Sequence, residues 1–174
     1  MTTSKSLTAK EQILNVREFE FATTMRVLKA YPEDKLELRP AEKSRSAREL
    51  IRTFVAEECV CGAAMRGQRI GAHVGQSLPD NSMDLLETFD RIHKEVQNLI
   101  AQAPDETLNR VTDFYGHQLS VLEVLWAELH DQIHHRGQFS VYLRLAGARV
   151  PSIYGPTADE PAGIQNDQPS HFAS

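Results

Sequence analysis

The sequence predicts an all-α fold, an up-down four-helix bundle in a single domain. Three observations carry the prediction. Four long segments place apolar residues at helical spacing, two of them open on a capping box, and no segment sustains the alternation of a half-buried strand. A helix with one apolar stripe must bury it, and four helices of similar length close around a shared core. The 174 residues suit one domain of ordinary globular composition, 41% hydrophobic and 25% charged.

The first segment runs from about Thr8 to Ala30, with Leu14, Phe21, Met25 and Leu28 on one face, Ile13 beside them, and Pro32 past its end. The second runs from about Ala47 to Met65. Ser46 and Glu49 form its capping box, in which hydroxyl and carboxylate each accept from an orphan backbone N–H. Leu50, Phe54, Cys61 and Met65 form its stripe, flanked by Ile51 and Val55, and Gly67 follows as a C-cap. The third runs from about Met83 to Gln102, capped by Asn81 or Ser82. Leu85, Phe89, Ile92, Val96 and Leu99 make the clearest stripe in the chain, and Pro104 ends it. The fourth runs from about Val121 to Leu145 behind the capping box Ser120–Glu123. Leu122, Leu125, Trp126, Leu129 and Ile133 are expected to face the core, and Gly147 and Pro151 bar continuation. Between the third and fourth helices lies a long connection, Asp105 to Leu119, in which Arg110 to Tyr115 suits a short extended piece. The bundle is assigned residues 1–157, and the irregular tail 158–174 is expected to be weakly structured.

A net charge of −5 leaves no surplus of Lys or Arg to recruit nucleic acid. The apolar runs are too short for a membrane span, and Met1 to Glu11 offers no apolar stretch for a signal peptide, so the expected compartment is the cytoplasm. Cys59 and Cys61 point about 200° apart on one helix. They are read as two reduced thiols, at least one in the core, and not as a metal pair.

One stretch concentrates chemistry: His130-Asp131-Gln132-Ile133-His134-His135-Arg136-Gly137-Gln138. His130 and His134 stand at i and i+4, the spacing of a two-histidine metal site on a helix. Asp131 and His135 share that spacing, rotated by about 100°. Spacing leaves both pairs open, since each flanks the stripe through Leu129 and Ile133. Two side chains from one helix leave a metal short of ligands, so another helix must contribute.

His135-Arg136-Gly137-Gln138, followed by Tyr142-Leu143-Arg144, Gly147, Pro151 and Tyr154-Gly155-Pro156, resembles the C-terminal signature of the DinB-like (DinB/YfiT) superfamily. Ala30-Tyr31-Pro32 and Ser46 to Glu58 resemble the family as well. The resemblance implies an up-down-down-up bundle, often dimeric. It also implies a divalent metal, zinc or nickel, held by a helix-two histidine and an i, i+4 pair on helix four. Carried over, the pair is Asp131 and His135. The helix-two position falls on Thr53, whose neutral hydroxyl is a poor ligand for either metal, and Glu57 one turn on is the substitute. His130 and His134 are the alternative pair.

Arg136 is read as structural, bonded to helix ends or to an acid such as Glu57 or Glu58. Glu18, Glu20, Glu57 and Glu58 are read as mostly solvated, with one turning inward toward Arg136 or a histidine. His73, His93, His117 and His171 are read as surface residues, and Tyr154-Gly155-Pro156 as a turn packing the tail back on the bundle. Two functions follow. The first is a metal-dependent enzyme of hydrolase or thiol-dependent transferase type acting on an unnamed small molecule. The second is a non-catalytic dimeric bundle with a degenerate metal site, stress-related or binding a small ligand. A homodimer is expected from the resemblance and from apolar positions beyond one stripe, Val124 and Val141.

Overall fold

The computed structural model describes residues 6–71 and 77–161. Four long helices dominate: α1 (Ala9–Lys29), α2 (Ala47–Arg66), α3 (Ser82–Gln102) and α5 (Val121–Leu145). The short α4 (Asp105–Asn109) and the strands β1 (Val111–Phe114) and β2 (His117–Ser120) fill the connection before α5. None of the described helices is long and apolar enough to cross a membrane.

The helix starts follow the local chemistry. Thr8, Ser46 and Ser120 each accept from the backbone N–H three residues on, and Glu11, Glu49 and Glu123 reach back to the cap N–H. α2 ends on Gly67 in the left-handed region, where Gln68 N–H reaches Ala63 O and closes the last turn.

The apolar faces meet in two adjoining clusters. One gathers Phe21, Phe54, Phe89 and Phe139, and the other Ile13, Cys61, Val96 and Leu125. Burying a side chain of this size contributes roughly 1.5–3 kcal/mol. Bonds between helices set their pairing. Lys10 near the start of α1 donates to Ala103 O just past α3, and Gln97 on α3 donates to Leu14 O. On α2, Glu58 accepts from Gln132 of α5, while Arg45 O just ahead of α2 accepts from Tyr142 near the end of α5.

The connection holds more strand than the single extended piece expected. Val111 pairs with Ser120 and Phe114 with His117 in an antiparallel hairpin. Its two-residue turn puts Tyr115 at φ 51° and Gly116 at φ 90°, the backbone of a type I′ turn. Four-residue strands are too short for alternation to register, and a tyrosine takes the place where such turns favour Asn, Asp or Gly.

Past Gly147 the chain folds back on the bundle. Arg136 is fully buried. It donates to Glu20 O and Thr24 Oγ1, pairs with Glu20 at 2.6 Å, and bonds the Tyr154 hydroxyl, which itself donates to Glu20 at 2.8 Å. Arg136 is therefore structural as expected, but its acid is Glu20 and neither Glu57 nor Glu58. Asp159 and Glu160 accept from the backbone N–H groups of Val150 and Ser152. The rest of the tail, with His171, lies outside the described residues, as does His73.

Candidate metal centre

The α2 stripe passes through two glutamates. Glu57 lies three residues after Phe54 and seven after Leu50, and Glu58 lies three before Cys61, so helical spacing carries both into the bundle. Both are buried, against the expectation that these acids are mostly solvated. They diverge by about 100° and serve different clusters.

Glu58 joins a closed network. It takes a 2.6 Å ion pair from Arg17, a 3.2 Å bond from Gln132 and a 3.3 Å contact with His93 Nδ1. Arg17 also donates to Cys61 Sγ. His93 is buried and stacks on Phe21, a correction to its reading as a surface residue, and its other nitrogen meets Glu18. Burial alone would raise the Glu58 carboxyl. Arg17, His93 and Gln132 outweigh it and hold the pKa at about 2. Burial drives the Cys61 thiol well above its ordinary range, which leaves it protonated and inert.

Glu57 faces a different set of groups. Its Oε1 lies 2.8 Å from His135 Nδ1, and Asp131 Oδ1 lies 3.7 Å from the same nitrogen. Glu57, Asp131 and His135 offer three ligand atoms within 4.8 Å of one another, the one such group among the described residues. His135 and Glu57 are buried, and Asp131 is exposed at the rim. Glu57 Oε2 is buried and no N–H or hydroxyl donor reaches it among the described residues, so only a proton shared between the two carboxyls links Glu57 to Asp131. Burial first, and the Asp131 carboxylate second, push the Glu57 carboxyl up to about 9. Glu128 is also buried, three residues before Asp131 and seven before His135. Burial and then Glu57 raise its pKa to about 8. Three carboxyl groups thus crowd one end of the group, the setting in which a divalent cation gains most.

His130 and His134 lie outside it. Both are exposed, His130 stacked on Trp126 and His134 bonded to Gln138 at 2.9 Å. The buried face of α5 runs through Leu125, Glu128, Leu129, Gln132, His135, Arg136 and Phe139. That leaves Leu122, Trp126 and Ile133, expected in the core, only partly buried. The face is rich in polar residues, so apolar spacing alone pointed to one side of it.

His135 Nε2 meets a residue that sequence reasoning missed. Arg45, just ahead of the Ser46 cap, places Nη1 3.2 Å from Nε2 and 3.1 Å from Thr53 Oγ1. A guanidinium only donates, so Nε2 accepts and the ring proton sits on Nδ1, facing Glu57. Burial holds the ring's pKa below its ordinary value, against the upward pull of Asp131, so the ring is neutral. No spacing signal marks Arg45, because a loop and a contact across α5 place it. Arg45 and Thr53 line a cleft of about 500 Å³ that opens beside His135, with Arg39, Lys43, Glu42 and Glu49 around it. From the hairpin, Tyr115 comes close enough that burial, and then the Glu128 and Glu57 carboxyls, raise its hydroxyl's pKa.

The DinB family's sequence profile matches residues 1–169. The chain belongs to the DinB family. Among curated proteins, an uncharacterized protein of Bacillus subtilis (strain 168), YrdA, is 43% identical over 65 residues, which is 37% of this chain and 39% of that protein's length. The match therefore spans well under half of the curated relative. A DinB-like protein from Bacillus cereus ATCC 10987 superposes with a TM-score of 0.72 at 21% identity, covering 83% of this chain and 97% of that one. YfiT from Bacillus subtilis, described as a probable metal-dependent hydrolase with an unusual four-helix bundle topology, superposes at 0.66 with 11% identity over 84% and 94%. A mycothiol-dependent maleylpyruvate isomerase reaches 0.60 at 15% identity, over 80% of this chain and 63% of its own. At these identities the structures speak to the fold.

The donor set fits a divalent metal. One imidazole nitrogen and two carboxylates make the three-ligand arrangement of an open site, and the Glu57 oxygen that no donor reaches is the atom a cation would satisfy.

Proposed function

We propose that Glu57, Asp131 and His135 hold a divalent metal, and that the protein is a metal-dependent enzyme of hydrolase or thiol-dependent transferase type. The buried Glu57 oxygen, which no donor reaches, beside Asp131 and His135 carries the reading. The descriptions of YfiT and the isomerase support it by analogy. A metal in this group would supply a Lewis acid and lower the pKa of a bound water or thiol. His135 and Glu57 would fix the metal's position from two rigid helices, and Asp131 would reach it from the rim. Glu128, holding a proton near neutrality, stands one turn from Asp131 as a proton donor or acceptor. The cleft beside Arg45 would admit a small polar substrate.

Two carboxylates with one imidazole widen the choice of metal beyond zinc and nickel toward oxygen-preferring ions such as manganese. The helix directions support an up-down-down-up order: α3 runs opposite to α1 but parallel to α2, whose Arg52 donates to Pro79 O ahead of α3 and whose final Arg66 pairs with Glu95, and α5 runs opposite to α2. Val141 and Leu145, exposed one turn apart on α5, support a homodimer, whereas Val124 is buried within the bundle. A sedimentation run giving only the monomer at micromolar concentration would contradict the dimer.

Elemental analysis of protein purified without chelator or histidine tag tests the metal directly. The expected result is about one divalent ion per chain, lost in Glu57→Ala and in His135→Ala. A full complement retained in both variants would reject the site.

One observation favours a non-catalytic bundle. Thr53 stands at the family's histidine position, and the Arg45 cation already bridges it to His135. Under that reading the purified wild type carries no metal at all.

A further inference from the structure

Arg45 is in an unusual position for an arginine. Three carboxyl groups crowd the neighbouring group, yet its guanidinium bonds a ring nitrogen and a hydroxyl, both neutral, and no carboxylate pairs with it among the described residues. Its backbone is held by Tyr142, whose hydroxyl donates to Arg45 O at 2.7 Å. The side chain itself is exposed and lies along the cleft. The fixed part is therefore the backbone, and the movable part is the guanidinium.

A metal at His135 conflicts with this pose on either ring nitrogen. Bound at Nδ1, it leaves the neutral ring's N–H on Nε2, and two donors then face each other at 3.2 Å. Bound at Nε2, it needs the space the guanidinium fills, because a metal–nitrogen bond is about 2.0–2.1 Å. In both cases two cations would also stand side by side, and Arg45 must leave. The cleft is where it can go. Lys43 is there as a second cation without an ion pair among the described residues, Arg39 is paired with Glu49 at 2.9 Å, and the three cations Arg39, Lys43 and Arg45 outnumber the cleft's two acids, Glu42 and Glu49.

We propose that metal binding displaces Arg45 from His135, and that the freed guanidinium, in the cleft beside the metal, receives a carboxylate or similar anionic group of the substrate. Without metal the guanidinium covers the lone pair of His135. With metal it presents a planar fork of donors, a geometry that matches a carboxylate. This inference rests on the metal reading above and adds to it the class of substrate.

The test is calorimetric, on the full chain, with zinc chloride and then acetate as probes. Zinc is titrated into the wild type, Arg45→Ala and His135→Ala. Acetate is titrated into the zinc-bound wild type, zinc-bound Arg45→Ala, zinc-bound Arg45→Lys and the zinc-free wild type. Removing the competing cation should tighten zinc binding by roughly tenfold or more in Arg45→Ala, the scale of one charge-assisted hydrogen bond. Acetate should bind the zinc-bound wild type most tightly. Binding should be roughly tenfold weaker in Arg45→Ala, intermediate in Arg45→Lys, and weaker again without zinc. Equal zinc affinity in wild type and Arg45→Ala overturns the displacement and leaves the metal site standing. Acetate binding that ignores Arg45 overturns its role toward the substrate. Failure of every protein to bind zinc removes the metal reading, and this proposal falls with it.

Discussion

Glu57→Gln should make the metal-free protein more stable at neutral pH. Burial and Asp131 push the Glu57 carboxyl up to about 9 in the folded chain, whereas an unfolded glutamate titrates near about 4.3. A carboxyl raised in this way favours the folded state's proton and the unfolded state's charge. The penalty is absent below about pH 4, grows as pH rises, and saturates only above about 9. At pH 7 the unfolded carboxyl is about 2.7 pH units past its midpoint, which at about 1.4 kcal/mol per unit approaches 4 kcal/mol. Charge sharing with Asp131 and local relaxation reduce this, so about 2–4 kcal/mol is expected. Glutamine keeps an acceptor for the His135 Nδ1–H at 2.8 Å and turns Oε2 into an N–H beside Asp131. Urea denaturation of chelator-treated wild type and variant, from pH 4 to pH 8, measures the difference. The gap should open with pH and correspond to about 5–15 °C in Tm at neutrality. A variant no more stable than wild type at pH 7, or a gap that does not change with pH, would show that the Glu57 carboxyl carries no such penalty in the folded chain.

Four further outcomes follow from other parts of the molecule. Arg17→Met should destabilise by about 3–5 kcal/mol in urea, because it leaves the buried Glu58 carboxylate without its cation, and a second change, Glu58→Gln, should restore part of that loss. Since the Glu58 carboxyl is held at about 2, its contribution is complete above about pH 4.3 and disappears as pH falls toward 2, so Glu58→Gln should flatten the acid limb of the stability profile. Tyr115→Asn should relieve the left-handed turn by about 1 kcal/mol in thermal melts, and a loss of stability would count against the turn argument. Arg136→Ala should loosen the segment around Tyr154, read as faster hydrogen exchange over residues 150–160 with little change in α2.

The helices were legible because their causes are local. Ser46–Glu49 and Ser120–Glu123 set the starts of α2 and α5, and Gly67 set the end of α2, all from contacts within a turn. The hairpin was less legible, because its strands are four residues each and its turn lacks the usual Asn-Gly. At the candidate site, the spacing of Asp131 and His135 and the reach of Glu57 could be read from the chain, since all three follow helical geometry. The buried polar face of α5 could not be read from hydrophobicity. Glu128, Gln132, His135 and Arg136 occupy core positions that a hydrophobic pattern scores as solvent. The same blindness hid His93, which is buried only because Glu58 and Glu18 satisfy both of its ring nitrogens. A seven-residue step from Glu128 to His135 was the available signal. Arg45 had none, for its partner is a ring 90 residues away in sequence.

Anomalous diffraction from crystals grown with a divalent metal, recorded at that metal's absorption edge, shows whether Glu57, Asp131 and His135 hold the ion. One strong peak is expected within coordinating distance of Glu57, Asp131 and His135, with the Arg45 guanidinium turned away from His135 into the cleft. A structure with no peak there, and with Arg45 still bonded to His135 Nε2 and Thr53, would contradict the proposed site.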